Sequence, residues 1–92
     1  MSKPQSLQHF TFTDHALFEM ARRGIGESDV AEILTHPEQT ETIRAGRALY
    51  QARLMIGEPP KAYLLRVFVD IDRTPPEVVT VYRTSKIKKY WR

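Results

Sequence analysis

A histidine at position 15 and a run of cations near the end of the chain are the residues whose types suggest chemistry. Imidazole is the side chain whose ordinary pKa, about 6.5, lets it both take and give a proton near neutrality. In the stretch DHALFEMARRG, His15 is followed at i+4 by Glu19 and then by Arg22 and Arg23. A carboxylate at that spacing would hold the ring and raise its proton affinity. The plain alternative is an exposed histidine near a helix start. The second group is TVYRTSKIKKYWR, in which Thr84, Ser85, Lys86, Lys88, Lys89, Tyr90 and Trp91 interleave hydroxyls, cations and flat rings. Cations bind phosphates and rings stack on unpaired bases, so this strip has the chemistry of an RNA-binding surface. Here the alternative is that the rings pack on the sheet while the lysines reach outward. For Trp91, packing into the core is the expectation.

Other candidates are weaker. His9 lies in an unpatterned segment, and His36 stands at a helix end before Pro37. No two histidines have metal-ligand spacing on a helix, so no metal site is expected. Asp70 and Asp72 share one face of a strand, but they read as flanks of the turn at Arg73–Pro76. The chain has no cysteine, which removes disulfides, thiolate metal sites and cysteine nucleophiles. It also lacks the glycine-rich phosphate loop, the dinucleotide fingerprint and the nucleophile elbow. No cofactor is expected.

Charge is unevenly placed. The chain holds 14 basic and 11 acidic residues, for a formal net charge of +3. Arg83, Lys86, Lys88, Lys89 and Arg92 fall within residues 83–92, which contain no acid. The remainder is mildly acidic. A basic end on an acidic body points to a polyanion or an acidic partner. No apolar run approaches the ~18 residues of a membrane span. The leading MSKPQSLQHF lacks the apolar stretch of a signal peptide, so a cytoplasmic protein without a membrane partner is expected.

Positioning these groups falls to a small α+β domain. Its 92 residues suit one domain, with Met1–Gln8 as a frayed end. His9–Thr13 alternates and suits a short strand. Thr13 or Asp14 can cap a helix that ends at Gly24. At about 100° per residue, Ala16, Leu17, Met20 and Ala21 share that helix's apolar side, and His15 centres the polar side with Glu19, Arg22 and Arg23. A second helix runs from Glu27 to Thr35, with Val30, Ile33 and Leu34 at i, i+3, i+4 spacing. Strands follow at Thr40–Arg44, Ala48–Ile56, Tyr63–Ile71 and Val78–Thr84. In the third of these, Tyr63, Leu65, Val67, Val69 and Ile71 share a face. Ser85–Arg92 is a basic tail or a short helix. The pattern predicts two N-terminal helices packed on a four-stranded antiparallel sheet, with a possible extra N-terminal strand.

Taken in order, several short matches carry a resemblance. They are His15-Ala16 with Met20, Arg23-Gly24-Ile25, Asp29-Val30, Pro37-Glu38, Gly46-Arg47 and Tyr50. Arg66-Val67, Val79-Thr80-Val81-Tyr82, Thr84-Ser85-Lys86 and Lys89-Tyr90 complete them. Over residues 9–91 the chain resembles domain-of-unknown-function family 4258. The resemblance implies a RelE-like fold, related to barnase-type and colicin-type ribonucleases, many of which are toxins held by a cognate antitoxin. One departure stands out: the family pattern puts an arginine just before the helix methionine, where this chain has Glu19.

The expected function is a metal-independent endoribonuclease that drives attack of the ribose 2′-OH. Such an enzyme needs a base, an acid and cations on the pentacovalent phosphate. The resemblance supplies His15 for proton transfer. Lys86 would stabilise phosphate charge and Tyr90 would transfer a proton or stack. Arg23, Arg66, Thr84, Ser85 and Lys89 would bind substrate. The other reading is a non-catalytic RNA- or protein-binding module that leaves His15 idle. Catalysis requires the histidine and the C-terminal cations to face one hollow.

Overall fold

A computed structural model describes residues 6–92. Of the frayed end expected at Met1–Gln8, residues 1–5 lie outside the described residues. Leu7 is tied down: its amide donates to the Leu34 carbonyl at 2.8 Å, and its side chain packs against the core.

Strand β1 (Thr11–Phe12) leads into helix α1 (Asp14–Arg23). The Thr13 hydroxyl oxygen accepts from the Ala16 amide at 3.1 Å, which satisfies an amide the helix start would leave unpaired. Gly24, at φ 68°, ends the helix in the left-handed conformation that glycine adopts without penalty. Helix α2 (Glu27–Thr35) stops at His36, because Pro37 disfavours helical geometry before it. Strands β2 (Gln39–Arg44), β3 (Arg47–Ile56), β4 (Lys61–Asp70) and β5 (Glu77–Thr84) follow, then the one-turn helix α3 (Ile87–Tyr90).

The strands form one five-stranded sheet in the order β1-β5-β4-β3-β2. β2 to β5 are an antiparallel meander, whereas β1 runs parallel to β5, pairing Thr11 with Glu77 and Phe12 with Val78. The sheet is therefore mixed, not purely antiparallel, and a third helix joins the two expected. β1 owes its place to a partner far along the chain, which local patterning cannot reveal.

One face of the sheet carries the core. Ala48, Tyr50 and Ala52 of β3 and Leu65, Val67 and Val69 of β4 pack against Ala16, Met20, Val30, Ile33 and Leu34. The register of β5 shifts between the partners of Phe68 and Val69. That extra residue lets Val78 and Val81, which plain alternation would put on opposite faces, both join the core. Among the described residues, no helix is long and apolar enough to cross a membrane.

Two expected faces are corrected. On α1, Ala16 and Met20 are buried, but Leu17 and Ala21 are exposed and Phe18 is 64 % exposed. Arg23 explains the turn of the helix. One of its guanidinium nitrogens donates to the Val81 carbonyl at 3.2 Å and another meets Glu19 at 3.0 Å. These contacts rotate the Ala16–Glu19–Met20–Arg23 stripe onto β5. On β4, Ile71 lies just past the strand end and is exposed. Its amide instead closes onto the Gly46 carbonyl at 2.9 Å.

Candidate nucleic-acid interface

The second face of the sheet is covered by α3 and the residues after it. Strand alternation sends Gln51 of β3, Arg66 and Phe68 of β4 and Tyr82 of β5 to this side, away from α1 and α2. Arg66 is 8 % exposed and Gln51 is 2 % exposed. The guanidinium Nε of Arg66 donates to Gln51 Oε1 at 2.9 Å, and Nη1 donates to the Tyr82 hydroxyl. The guanidinium lies over the ring of Tyr90 of α3, 4.3 Å from its carbon to the ring centre. Phe68 and Tyr82 stack on one another at 6.1 Å and flank the same guanidinium at 5.5 and 5.6 Å.

The chain beyond Tyr90 is fastened along its length. Gln51 Nε2 donates to the Tyr90 carbonyl at 3.2 Å and to Gln39 Oε1 at 2.8 Å. Gln39 in turn donates to the Arg92 carbonyl and accepts from the Arg92 amide. Arg92 also pairs with Glu41 at 2.7 Å. Trp91 is half-buried with the Arg53 guanidinium over its ring at 4.3 Å. It therefore packs under an arginine and not in the core, contrary to the expectation.

Beside this cluster lies an open groove of about 660 Å³, lined by Lys61, Ala62, Ser85, Lys86, Ile87, Lys88 and Lys89. Antiparallel pairing of Leu64 with Thr84 brings the start of β4 alongside the residues that follow β5. The Thr84 hydroxyl accepts from the Lys86 amide at 3.0 Å and shapes the turn into α3. Lys89 Nζ lies 5.3 Å from the Tyr90 ring centre.

Most arginines on the rest of the surface are paired with carboxylates. Arg22 and Arg23 meet Glu19, Arg47 meets Asp70, Arg53 meets Glu38, Arg73 meets Glu77 and Arg92 meets Glu41. The four groove lysines make no ion pair among the described residues. Positive potential unquenched by carboxylates thus collects at one end of the sheet.

The predicted site residues divide accordingly. Lys86, Ser85 and Lys89 line the groove, Thr84 braces it, and Arg66 and Tyr90 stack beside it. Arg23 is an anchor between α1 and β5. His15 is exposed on α1, and the sheet lies between α1 and α3. Glu19 does not hold its ring. That carboxylate bonds to Arg22 at 2.6 Å and to Arg23, and the Arg22 bond is the main cause holding its pKa below the usual carboxylate value. Asp70 is bound to Arg47 at 2.7 Å.

Lys61 and Gln51 were not among the candidates. Lys61 needed the register of β4 against β5 to join the lysines. Gln51 had a visible signal, a single amide inside the apolar run ALYQARL.

The description "Domain of unknown function (DUF4258)" covers residues 12–83, more than half of the chain. The chain belongs to the DUF4258 family. The matched stretch takes in His15, Lys61 and Arg66 and stops before Ser85, so the groove lysines 86, 88 and 89 lie beyond it. No curated protein matches the chain, and no solved structure does.

Proposed function

We propose that this DUF4258 chain is an RNA-binding module that grips the phosphate backbone with Lys61, Lys86, Lys88 and Lys89. The observation that carries the reading is charge pairing: these four lysines and the neighbouring Arg66 and Arg83 lack carboxylate partners among the described residues, while Arg22, Arg23, Arg47, Arg53, Arg73 and Arg92 have theirs. Phosphates would supply the missing counter-charge, and rings beside the groove offer faces to unpaired bases. The experiment is a salt titration of binding to a single-stranded oligoribonucleotide. The logarithm of affinity should fall against log salt with a slope of about 0.7 per phosphate contacted, and Lys86→Ala/Lys88→Ala should flatten that slope. An affinity independent of salt would refute the reading.

A second reading is metal-independent cleavage of that RNA, by attack of the ribose 2′-OH. It is favoured by one arrangement: Arg66 lies between the phenols of Tyr82 and Tyr90, close to the groove lysines. A phenol can relay a proton and a guanidinium can hold developing phosphate charge. The sheet separates His15 from this arrangement, so the reading passes proton transfer to Tyr90. The RelE-like and barnase-like relationship belongs here as a proposal, supported by helices on one face of a meander and a cation-rich C-terminal segment. So does a cognate antitoxin partner. Cleavage in the presence of a chelator, lost in Tyr90→Phe, would support this reading. Intact RNA after incubation with the native protein would remove it.

A further inference from the structure

Arg66 is a buried cation without an anion. Moving a guanidinium out of water is unfavourable unless a counter-charge and hydrogen bonds compensate. Here the partners are all neutral: an amide oxygen, a phenol oxygen and three ring faces. They satisfy hydrogen bonds, but they leave the charge uncancelled. Among the described residues no buried side-chain nitrogen or oxygen lacks a partner. Nη2 of Arg66 makes no hydrogen bond, so it is the corner of the guanidinium that still reaches solvent.

What covers Arg66 is held loosely. No residue of α3 is buried. The segment is fastened by exposed hydrogen bonds between Gln39 and Arg92, one part-buried hydrogen bond from Gln51 to the Tyr90 carbonyl, an ion pair, and guanidinium groups over rings. A one-turn segment whose apolar residues Ile87, Tyr90 and Trp91 are only half-buried opens at lower free-energy cost than the core elements do. When Tyr90 lifts, the Nη2 edge of Arg66 and one amide hydrogen of Gln51 become available together, beside the stacked Phe68 and Tyr82.

We infer that Arg66 and Gln51 form a covered site for the phosphate of a nucleotide, with Tyr82 and Phe68 as the platform for its base and the C-terminal segment as a latch. A phosphate offers oxygens in a geometry that a guanidinium fork and an amide match, and the adjacent rings favour a ligand that also carries a flat ring. This deepens the RNA-binding reading, on which it rests for the choice of a nucleotide.

The test uses the full chain and adenosine 5′-monophosphate, titrated by calorimetry, with inorganic phosphate and adenosine as separate arms. The monophosphate should bind more tightly than either fragment. Gln39→Ala changes no charge and removes both hydrogen bonds that Gln39 makes to Arg92, leaving only the Glu41 ion pair on that residue, so it should tighten binding by about threefold as the open state gains population. Arg66→Gln should weaken it by about tenfold or more. Lys61→Ala/Lys86→Ala should leave it within about twofold, because phosphates beyond the first are what the groove would hold. An affinity unmoved by Arg66→Gln, or unmoved by Gln39→Ala, would overturn the proposal. Since Gln39→Ala leaves Arg66 intact, the test survives a poorly folded Arg66 variant. Loss of RNA binding in the lysine variant with monophosphate binding retained would support both readings. Monophosphate binding retained with RNA binding unchanged would sink the groove alone.

Discussion

The guanidinium of Arg66 lies over the ring of Tyr90 at 4.3 Å, and this contact helps seat the last helix on the sheet. It joins the middle of β4 to the chain's end on the face opposite α1. Two of the groove lysines, Lys88 and Lys89, hang from the same short helix, and Lys86 immediately precedes it. Placement of the basic strip therefore involves a buried cation as well as the half-buried Ile87 and Trp91.

Removing that ring should free the segment without unfolding the domain. A guanidinium over an aromatic face contributes about 0.5–2 kcal/mol. Trp91, the single tryptophan, reports the event, because its ring lies under Arg53 only while the segment is docked. Tyr90→Ala should shift its fluorescence to the red and raise its quenching by iodide. Tyr90→Phe keeps the face and should leave both unchanged. Equal spectra for Tyr90→Ala and the native chain would show that the contact does not hold the segment.

Much of the scaffold could be read in the sequence because its signals are local. Thr13, Gly24 and Pro37 mark helix ends by the chemistry of their own backbones. The meander follows from strand lengths and turns. What could not be read depends on distant partners. The parallel seat of Thr11–Phe12 needs β5. The rotation of α1 needs the Val81 carbonyl, which Arg23 caps where β1 no longer covers the edge. For the candidate site the same division holds. The C-terminal cations were legible as a charge run, whereas Lys61 joined them only through register. His15 and Glu19 share i+4 spacing, but two arginines compete for the same carboxylate and win it.

His15 therefore provides a clean control. It is exposed, and among the described residues it makes no hydrogen bond or ion pair. His15→Ala should change stability by no more than about 0.5 kcal/mol, as is usual for surface substitutions away from special features. RNA affinity and its salt dependence should match the native protein. Thermal unfolding and the salt titration check both. A tenfold loss of RNA affinity or of cleavage would return the histidine to the site and place substrate around the sheet edge.

The opposite end of the sheet contributes to the response to acid, alongside Glu19 and Glu38, whose carboxyls their arginine partners also hold below the usual value. Asp70 Oδ1 accepts from Arg47 Nε at 2.7 Å, and Arg73 lies further off at 3.9 Å. The Arg47 hydrogen bond is the main cause that holds the Asp70 carboxyl below its usual value, against a smaller opposing effect of burial. A carboxylate whose pKa is depressed by folding stabilises the fold fully above its unfolded pKa, about 3.9. That contribution is lost as pH falls through the lower, folded value. Between pH 7 and 5 it is constant, so Asp70→Asn should lower stability there by a fixed amount, about 1.5–3 kcal/mol for a charge-assisted bond. Below about pH 4 the two proteins should converge, since protonation removes from the native chain what the substitution already removed. Urea unfolding across this range measures the difference. A gap that stayed constant down to pH 2 would mean that the Asp70 charge does not stabilise the fold, and that the cost of Asp70→Asn comes from packing alone.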